Sequence, residues 1–317
     1  MAVVPAHLVA VPVLEHMAGE GQGVVLGAGA TAAWVDLDGF VVAATTREVP
    51  LLPNAVALAA GSGSLVGVAT GATARFAPGR IDLGVLRVTW DRAAPPTWDP
   101  TVPLPDGPAP EAVAGRGAAL LNALGVHPAP EAGGGAVDNR DRPSPGSAAY
   151  PVALVRELAR VGLAIAADPD GAAGLTLLFR AVRERDPEPA AAAVRELLGR
   201  GPGLTPEGDD VVAGVAGTVA VLGPAAGLDG ATAAALLAAL APDPGRTTAL
   251  SATLLGLASE RRLPEPAGRL LDLGPGGEAA WPGALARLER LGHGSGRAYA
   301  TGIGAAAVLL AAGTPVR

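Results

Sequence analysis

Three short segments in the second half of the chain collect residue types that handle small anions and carbonyl groups. The first is Gly201-Pro202-Gly203-Leu204-Thr205-Pro206-Glu207-Gly208-Asp209-Asp210, which runs into the apolar Val211-Val212-Ala213-Gly214. A glycine-rich loop that opens a helix offers free N–H groups and the positive end of the helix dipole, and both suit an anion. Gly203, Thr205 and Gly208 are therefore candidate ligand contacts. Asp209 and Asp210 complicate this, because a carboxylate at a helix start is a favourable cap and also repels an anion. Two adjacent carboxylates can instead share a Mg²⁺ ion with substrate oxygens. Capping accounts for one aspartate and leaves the second without a structural reason.

The second segment is Arg246-Thr247-Thr248-Ala249-Leu250-Ser251. On a helix, Thr247 and Ser251 lie four apart and Thr248 and Ser251 three apart, so their hydroxyls share a face. Arg246 stands just ahead, where its planar fork can grip a carboxylate or phosphate. A threonine N-cap beside a solvated arginine is the plainer alternative. The third segment is Gly292-His293-Gly294-Ser295-Gly296-Arg297. Its glycines let backbone approach a ligand closely. His293 can act as general acid or base, or donate to a carbonyl oxygen, with Gly294 and Ser295 as neighbouring contacts. A glycine-rich turn between helices is the alternative. His7, His16 and His127 lie in apolar or loop-edge settings, and no histidine spacing suits zinc.

Composition narrows the chemistry. The chain has neither cysteine nor lysine, and all 23 basic residues are arginine. That excludes a thiol nucleophile, a thiolate zinc site, a disulfide, a Schiff-base lysine and a P-loop lysine. A formal net charge of −7, with arginine clustered only near Arg183 and Arg261, argues against duplex nucleic acid as a partner. The start Met1-Ala2-Val3-Val4-Pro5 lacks a basic region ahead of an apolar core, so no signal peptide is expected. Val211–Leu222 and Ile303–Gly313 are too short for a bilayer, which needs roughly 20 apolar residues. A cytoplasmic protein without a membrane partner is expected.

These segments need elements to hold them. In the first hundred residues, Gly23–Leu26, Ala32–Leu37, Phe40–Thr45, Ser64–Ala69 and Ile81–Trp90 read as strands. Asp38-Gly39 between two β-favouring runs signals a hairpin. Gly27-Ala28-Gly29 lacks a following helix and a third glycine, so a dinucleotide fold is not supported. Gly61-Ser62-Gly63-Ser64 lacks the nucleophile-elbow pattern. Ala94–Pro110 is too proline-rich for regular structure, a helix follows over Glu111–Leu124, and Pro128–Ser147 reads as a loop or linker. Helices are expected at Val152–Ala167, Ala172–Arg185, Glu188–Leu198, Asp209–Leu222, Ala231–Leu240, Thr247–Ser259, Trp281–Leu291 and Arg297–Ala312, with proline and glycine at most junctions. The expected fold class is α+β. An antiparallel β-rich domain over 1–110, a small barrel or sandwich, leads through a helix and connector over 111–150 to a bundle of small-residue helices over 151–317.

Taken in order, Gly203-Leu204-Thr205-Pro206 with Gly208-Asp209-Asp210, Arg246-Thr247-Thr248 with Ser251, and Gly292-His293 with Ser295-Gly296 resemble the AllH-like proteins. That family supplies a subunit of the oxamate carbamoyltransferase of anaerobic allantoin degradation, encoded beside FdrA-like and AllG-like subunits. The match runs over roughly 201–302. Glu207 departs from a commonly small polar residue, and Val211 from a common aromatic. The added charge of Glu207 counts against phosphate binding in the first loop.

The resemblance implies carbamoyl transfer between carbamoyl phosphate and a small amide- or carboxylate-bearing acceptor such as oxamate. Such chemistry needs phosphate charge neutralised and an oxyanion stabilised at the carbamoyl carbon, and no covalent nucleophile. It implies that Arg246 and Thr247 bind the anionic group, that His293 polarises the carbonyl or carries a proton, and that Asp209 or Asp210 orients the acceptor amide or a Mg²⁺ ion. FdrA-like and AllG-like subunits are the implied partners. A non-catalytic assembly subunit and a stand-alone small-anion-binding protein are the alternatives.

Overall fold

The computed structural model describes residues 1–127 and 143–313. Most of the stretch expected as a loop over 128–147 lies outside them. Nine strands occupy the first hundred residues: β1 (Ala2–Ala10), β2 (Gly21–Ala28), β3 (Ala32–Leu37), β4 (Phe40–Thr45), β5 (Ala55–Leu58), β6 (Thr73–Ala77), β7 (Arg80–Asp82), β8 (Leu86–Thr89) and β9 (Thr97–Trp98). A short helix, α1 (Val11–His16), follows β1. The expected hairpin joins β3 to β4 with Leu37 opposite Phe40. Asp38 and Gly39 take positive φ of 53° and 86°, and the Gly39 N–H donates to Asp36 Oδ1 at 2.8 Å.

The strands run β5-β4-β3-β2-β6-β7-β8-β1, and β1 pairs back onto β5 to close an eight-stranded barrel, with β9 added beside β1. The expectation of a barrel or sandwich thus resolves to a barrel, but not a wholly antiparallel one. β1 with β8, β4 with β5 and β1 with β9 are parallel. Strand β1 escapes a propensity reading because it carries Pro5. Its register against β5 shifts between Ala6 and Leu8, and such irregularities tolerate a residue without an N–H.

Two expected strands are corrected. Ser64–Ala69 is a series of turns, with Gly63 and Gly67 at φ of 92° and 96°. Ile81–Trp90 is not one strand, because Gly84 at φ 75° turns it into the β7–β8 pair. The interior is filled by alternate residues such as Ala33, Val35 and Leu37 of β3 with Val42 and Ala44 of β4, as an eight-stranded barrel requires. His16 is a satisfied histidine: its Nε2 bonds the Leu37 carbonyl at 2.7 Å and its ring stacks on Phe40.

The remaining elements are helical: α2 (Pro110–Ala123), α3 (Tyr150–Arg160), α4 (Ala164–Ala167), α5 (Pro169–Glu184), α6 (Pro187–Leu197), α7 (Glu207–Leu222), α8 (Gly230–Ala239), α9 (Ala249–Ser259), α10 (Glu265–Leu271), α11 (Gly277–Leu288) and α12 (Ser295–Ala312). Gly162 at φ 89° splits the single helix expected over Val152–Ala167 into α3 and α4. Helices α7 and α12 are buried almost all round, as an apolar helix at the centre of a domain should be.

Glycine lets those two helices touch. A Cβ on Gly214 would collide with the Tyr299 carbonyl and stand 3.0 Å from Ile303 N, while one on Gly302 would collide with the Val211 carbonyl. On the far side of α12, a Cβ on Gly117 of α2 would stand 2.8 Å from the Gly304 carbonyl. The small residues therefore set the distances at which α7, α12 and α2 pack.

Barrel and helices meet directly. The Val41 N–H donates to Thr253 Oγ1 of α9 at 3.0 Å, and the Glu265 N–H donates to the Leu51 carbonyl at 2.9 Å. Arg262 makes two bonds to Glu15, at 2.7 and 3.1 Å. This covering explains why β4 is buried on both faces.

Candidate functional site

The first and third segments meet at this junction. Helix α7 begins at Glu207, two residues earlier than expected, so Asp209 and Asp210 are not its cap; Pro206 holds that position with no side-chain cap. Glu207 reaches back instead, and its Oε2 accepts the Ile165 N–H at the start of α4, 2.5 Å away. Gly201 and Gly203 bend the loop at φ of 121° and 95°. Helix α12 begins at Ser295, again with no side-chain cap. The Ser295 and Thr205 hydroxyls are 2.9 Å apart, which joins the two glycine-rich loops across ninety residues of sequence.

The two aspartates part company. Neighbouring residues on a helix point about 100° apart, so they do not share a face. Asp209 turns inward: its Oδ1 accepts the Gly199 N–H at 2.7 Å and its Oδ2 accepts from the Thr247 hydroxyl. Burial raises its carboxyl above the ordinary carboxylate value, against the lowering effect of those two bonds. Asp210 turns to the cleft, is 7% exposed, and among the described residues has no partner for its Oδ2. Burial pushes it well above the ordinary value; the Ser295 hydroxyl opposes this, and the charges of Asp209 and Glu207 add to it. Asp210 lines the cleft, whereas Asp209 is not among its lining residues. Among the described residues there is no group of three or more His, Asp or Glu arranged for a metal.

The second segment serves the first. Thr248 is the N-cap of α9: its Oγ1 accepts the Ser251 N–H at 3.0 Å and donates to the Leu204 carbonyl at 2.6 Å. Thr247 holds Asp209. Arg246 lies outward, bonded to the Arg195 carbonyl at 2.8 Å and 3.6 Å from Asp243. Arg246, Thr247, Thr248, Ser251 and Gly208 are not among the residues that line the cleft. What lies at the surface of the cleft is Gly203, Thr205, Asp210, His293, Gly294 and Ser295.

That cleft has a volume of about 1370 Å³ and lies between Trp34, Val49 and Pro50 of the barrel and the starts of α7 and α12. Its walls are mainly apolar, with Leu250, Leu254 and Pro264 on the helical side. Sequence reasoning missed Tyr299 and Arg290, both of which line it. Tyr299 is four residues past Ser295 and therefore shares its helix face, a signal present in the sequence. Its hydroxyl is buried and has no partner among the described residues, and burial, then the charge of Asp210, raises its pKa.

The geometry thus defines a large, mainly apolar cleft with a few polar groups, between a barrel and a helical layer. Residues 197–307 match the family model described as oxamate carbamoyltransferase subunit AllH, the family that the three motifs resemble. The matched span holds all three segments. No curated protein and no solved structure is matched. Among the described residues, no helix is long and apolar enough to cross a membrane.

Proposed function

We propose that this chain is a subunit of a heteromeric carbamoyltransferase acting between carbamoyl phosphate and a small amide- or carboxylate-bearing acceptor such as oxamate, in purine nitrogen catabolism, with FdrA-like and AllG-like subunits as partners. The observation that carries this is the coincidence of the family match with the cleft. The matched span supplies both glycine-rich loops, and the Thr205–Ser295 contact joins them at one wall.

In the catabolic direction a phosphate oxygen attacks the carbamoyl carbon of the carbamoylated acceptor. The bond from that carbon to the acceptor nitrogen breaks, and the nitrogen takes a proton. His293 is assigned the proton or the polarised carbonyl, since it is a titratable side chain on a glycine loop open to the cleft. Asp210 is assigned the acceptor amide, whose N–H it can accept. Thr205, Ser295 and the N–H groups around Gly203 and Gly294 face the reacting group. Arg246, Thr247, Thr248 and Ser251 are assigned to holding Asp209 and the 201–208 loop, and Gly208 to the helix start.

The test assembles the chain with its two partners and follows phosphate release from carbamoyl phosphate with oxamate present. Turnover is expected, and His293→Ala is expected to lower kcat by about 10²-fold, the ordinary contribution of general acid–base catalysis. No turnover in the assembled complex removes the proposal, and full activity in the variant removes the role of His293. A non-catalytic assembly subunit is the second reading, supported by the wholly internal partners of Thr247 and Thr248. It predicts that the cleft has no affinity for either substrate.

A further inference from the structure

The cleft is large for one small molecule. About 1370 Å³ exceeds the roughly 300–1,000 Å³ that holds a drug-sized ligand. Its polar groups also fall into two sets. Arg290 and His293 are exposed on the turn between α11 and α12. Among the described residues, the Arg290 guanidinium has no ion-pair partner. The other cation of the wall, Arg200, is committed to Asp168 at 3.2 Å and Asp170 at 3.4 Å. The Glu207 carboxylate lies close under the glycine turn, with its Oε1 3.8 Å from where a Cβ on Gly294 would stand. An anion therefore finds its uncompensated positive charge at Arg290.

The inner set is different in kind. Asp210 and Tyr299 are each 7% exposed, and among the described residues the Asp210 Oδ2 and the Tyr299 hydroxyl have no partner. The hydroxyl lies 3.6 Å from where a Cβ on Gly217 would stand, and Leu263 packs at the same glycine. An unpartnered polar atom in such surroundings is costly, and a ligand hydrogen bond removes that cost. A carboxylate or phosphate group beside Asp210 would meet a like charge and no cation, so oxamate, which carries a carboxylate of its own, can enter this end only by its amide. An uncharged amide can donate N–H to a carboxylate and accept from a hydroxyl.

We infer that the cleft binds two ligands at once in separate subsites: a phosphate-bearing anion at the mouth, on Arg290 and His293, and an amide group at the inner end, on Tyr299 and Asp210. The identities of the two ligands rest on the proposed function; the division of the cleft does not. Tyr299 is then a specificity residue for the amide-bearing partner, and Arg290 for the phosphate.

The experiment titrates the full chain with inorganic phosphate and with oxamate by calorimetry, singly and together, and repeats this for Arg290→Gln and Tyr299→Phe. The two probes are expected to bind without competing. Arg290→Gln weakens phosphate by about tenfold or more, as loss of a charged hydrogen bond does, and leaves oxamate unchanged. Tyr299→Phe weakens oxamate and leaves phosphate unchanged. It keeps the ring and removes an unpartnered hydroxyl, so its thermal midpoint stays at or above that of the wild type, which separates lost binding from lost folding. Competition between the probes, equal weakening of both by either variant, or a wild type that binds neither overturns the inference. Intact subsites in a complex that transfers no carbamoyl group remove the proposed function alone. Competing probes in a complex that does transfer it remove the subsites alone.

Discussion

Replacing Gly214 by valine is expected to cost about 3 kcal/mol or more of folding stability, at the top of the range for overpacked cores. In an isolated helix the same position would gain from losing glycine, by about 1 kcal/mol for alanine. The sign is reversed by the neighbour. The added Cβ meets the Tyr299 carbonyl, Ile303 N at 3.0 Å and the Gly302 Cα at 3.1 Å, and all of these are backbone. No rotamer change clears them, so α7 and α12 must separate. Against a total stability of about 5–15 kcal/mol, that leaves a marginal or aggregating protein. Urea denaturation of the wild type, Gly214→Ala and Gly214→Val measures the series. A valine variant as stable as the wild type would mean that these helices do not approach as closely as the structure has them.

Asp210→Asn is expected to raise stability and lower amide affinity together. The folded state holds the Asp210 proton to higher pH than the unfolded chain does, because burial disfavours the charge. Between the unfolded value, about 4, and the raised folded value, the native state binds more protons. Stability therefore falls as pH rises through that window and stays lower above it. Asparagine carries no charge, so the variant should be the more stable protein at pH 8, by about 1–3 kcal/mol if the unpaired group sets the scale. The advantage should fade as the pH falls below about 4, the unfolded value, where both chains become neutral at this position. Thermal midpoints at the two pH values decide it, and a variant less stable at pH 8 would show that Asp210 is compensated within the fold. Oxamate affinity should fall about tenfold or more, the loss expected of a hydrogen bond to a charged group.

Local chemistry was legible where it acts locally. Asp38-Gly39 fixed the β3–β4 register, and the expected bounds of both strands match the structure. Thr248 caps α9, the threonine cap offered as the plainer alternative, although the helix starts at Ala249, two residues later than expected. Helix starts were read two or three residues late at α5, α7 and α12, because each begins inside a proline, glycine or acidic run that reads as loop. Strand β5 has four buried residues and no alternation to detect, since barrel and helices cover it from both sides. The site was legible as three segments but not as a surface. Nothing in the spacing says that Thr205 meets Ser295, or that Arg246 turns outward to Arg195 and Asp243. Those outcomes depend on the α7–α12 packing, a long-range contact that no local pattern encodes.

The glycine-mediated seat of α7 on α12 has a consequence for motion. Amide protons in the middle of both helices can exchange with solvent only when the bundle itself opens, so they belong to the last unit of the protein to come apart. Tyr299 stands on that unit and Asp210 at its edge, in the first turn of α7, whereas Arg290 and His293 stand on the exposed turn between α11 and α12. One wall of the cleft is thus a fixed template and the other an adjustable edge, so the cost of ordering a bound ligand falls almost entirely on the 289–294 turn.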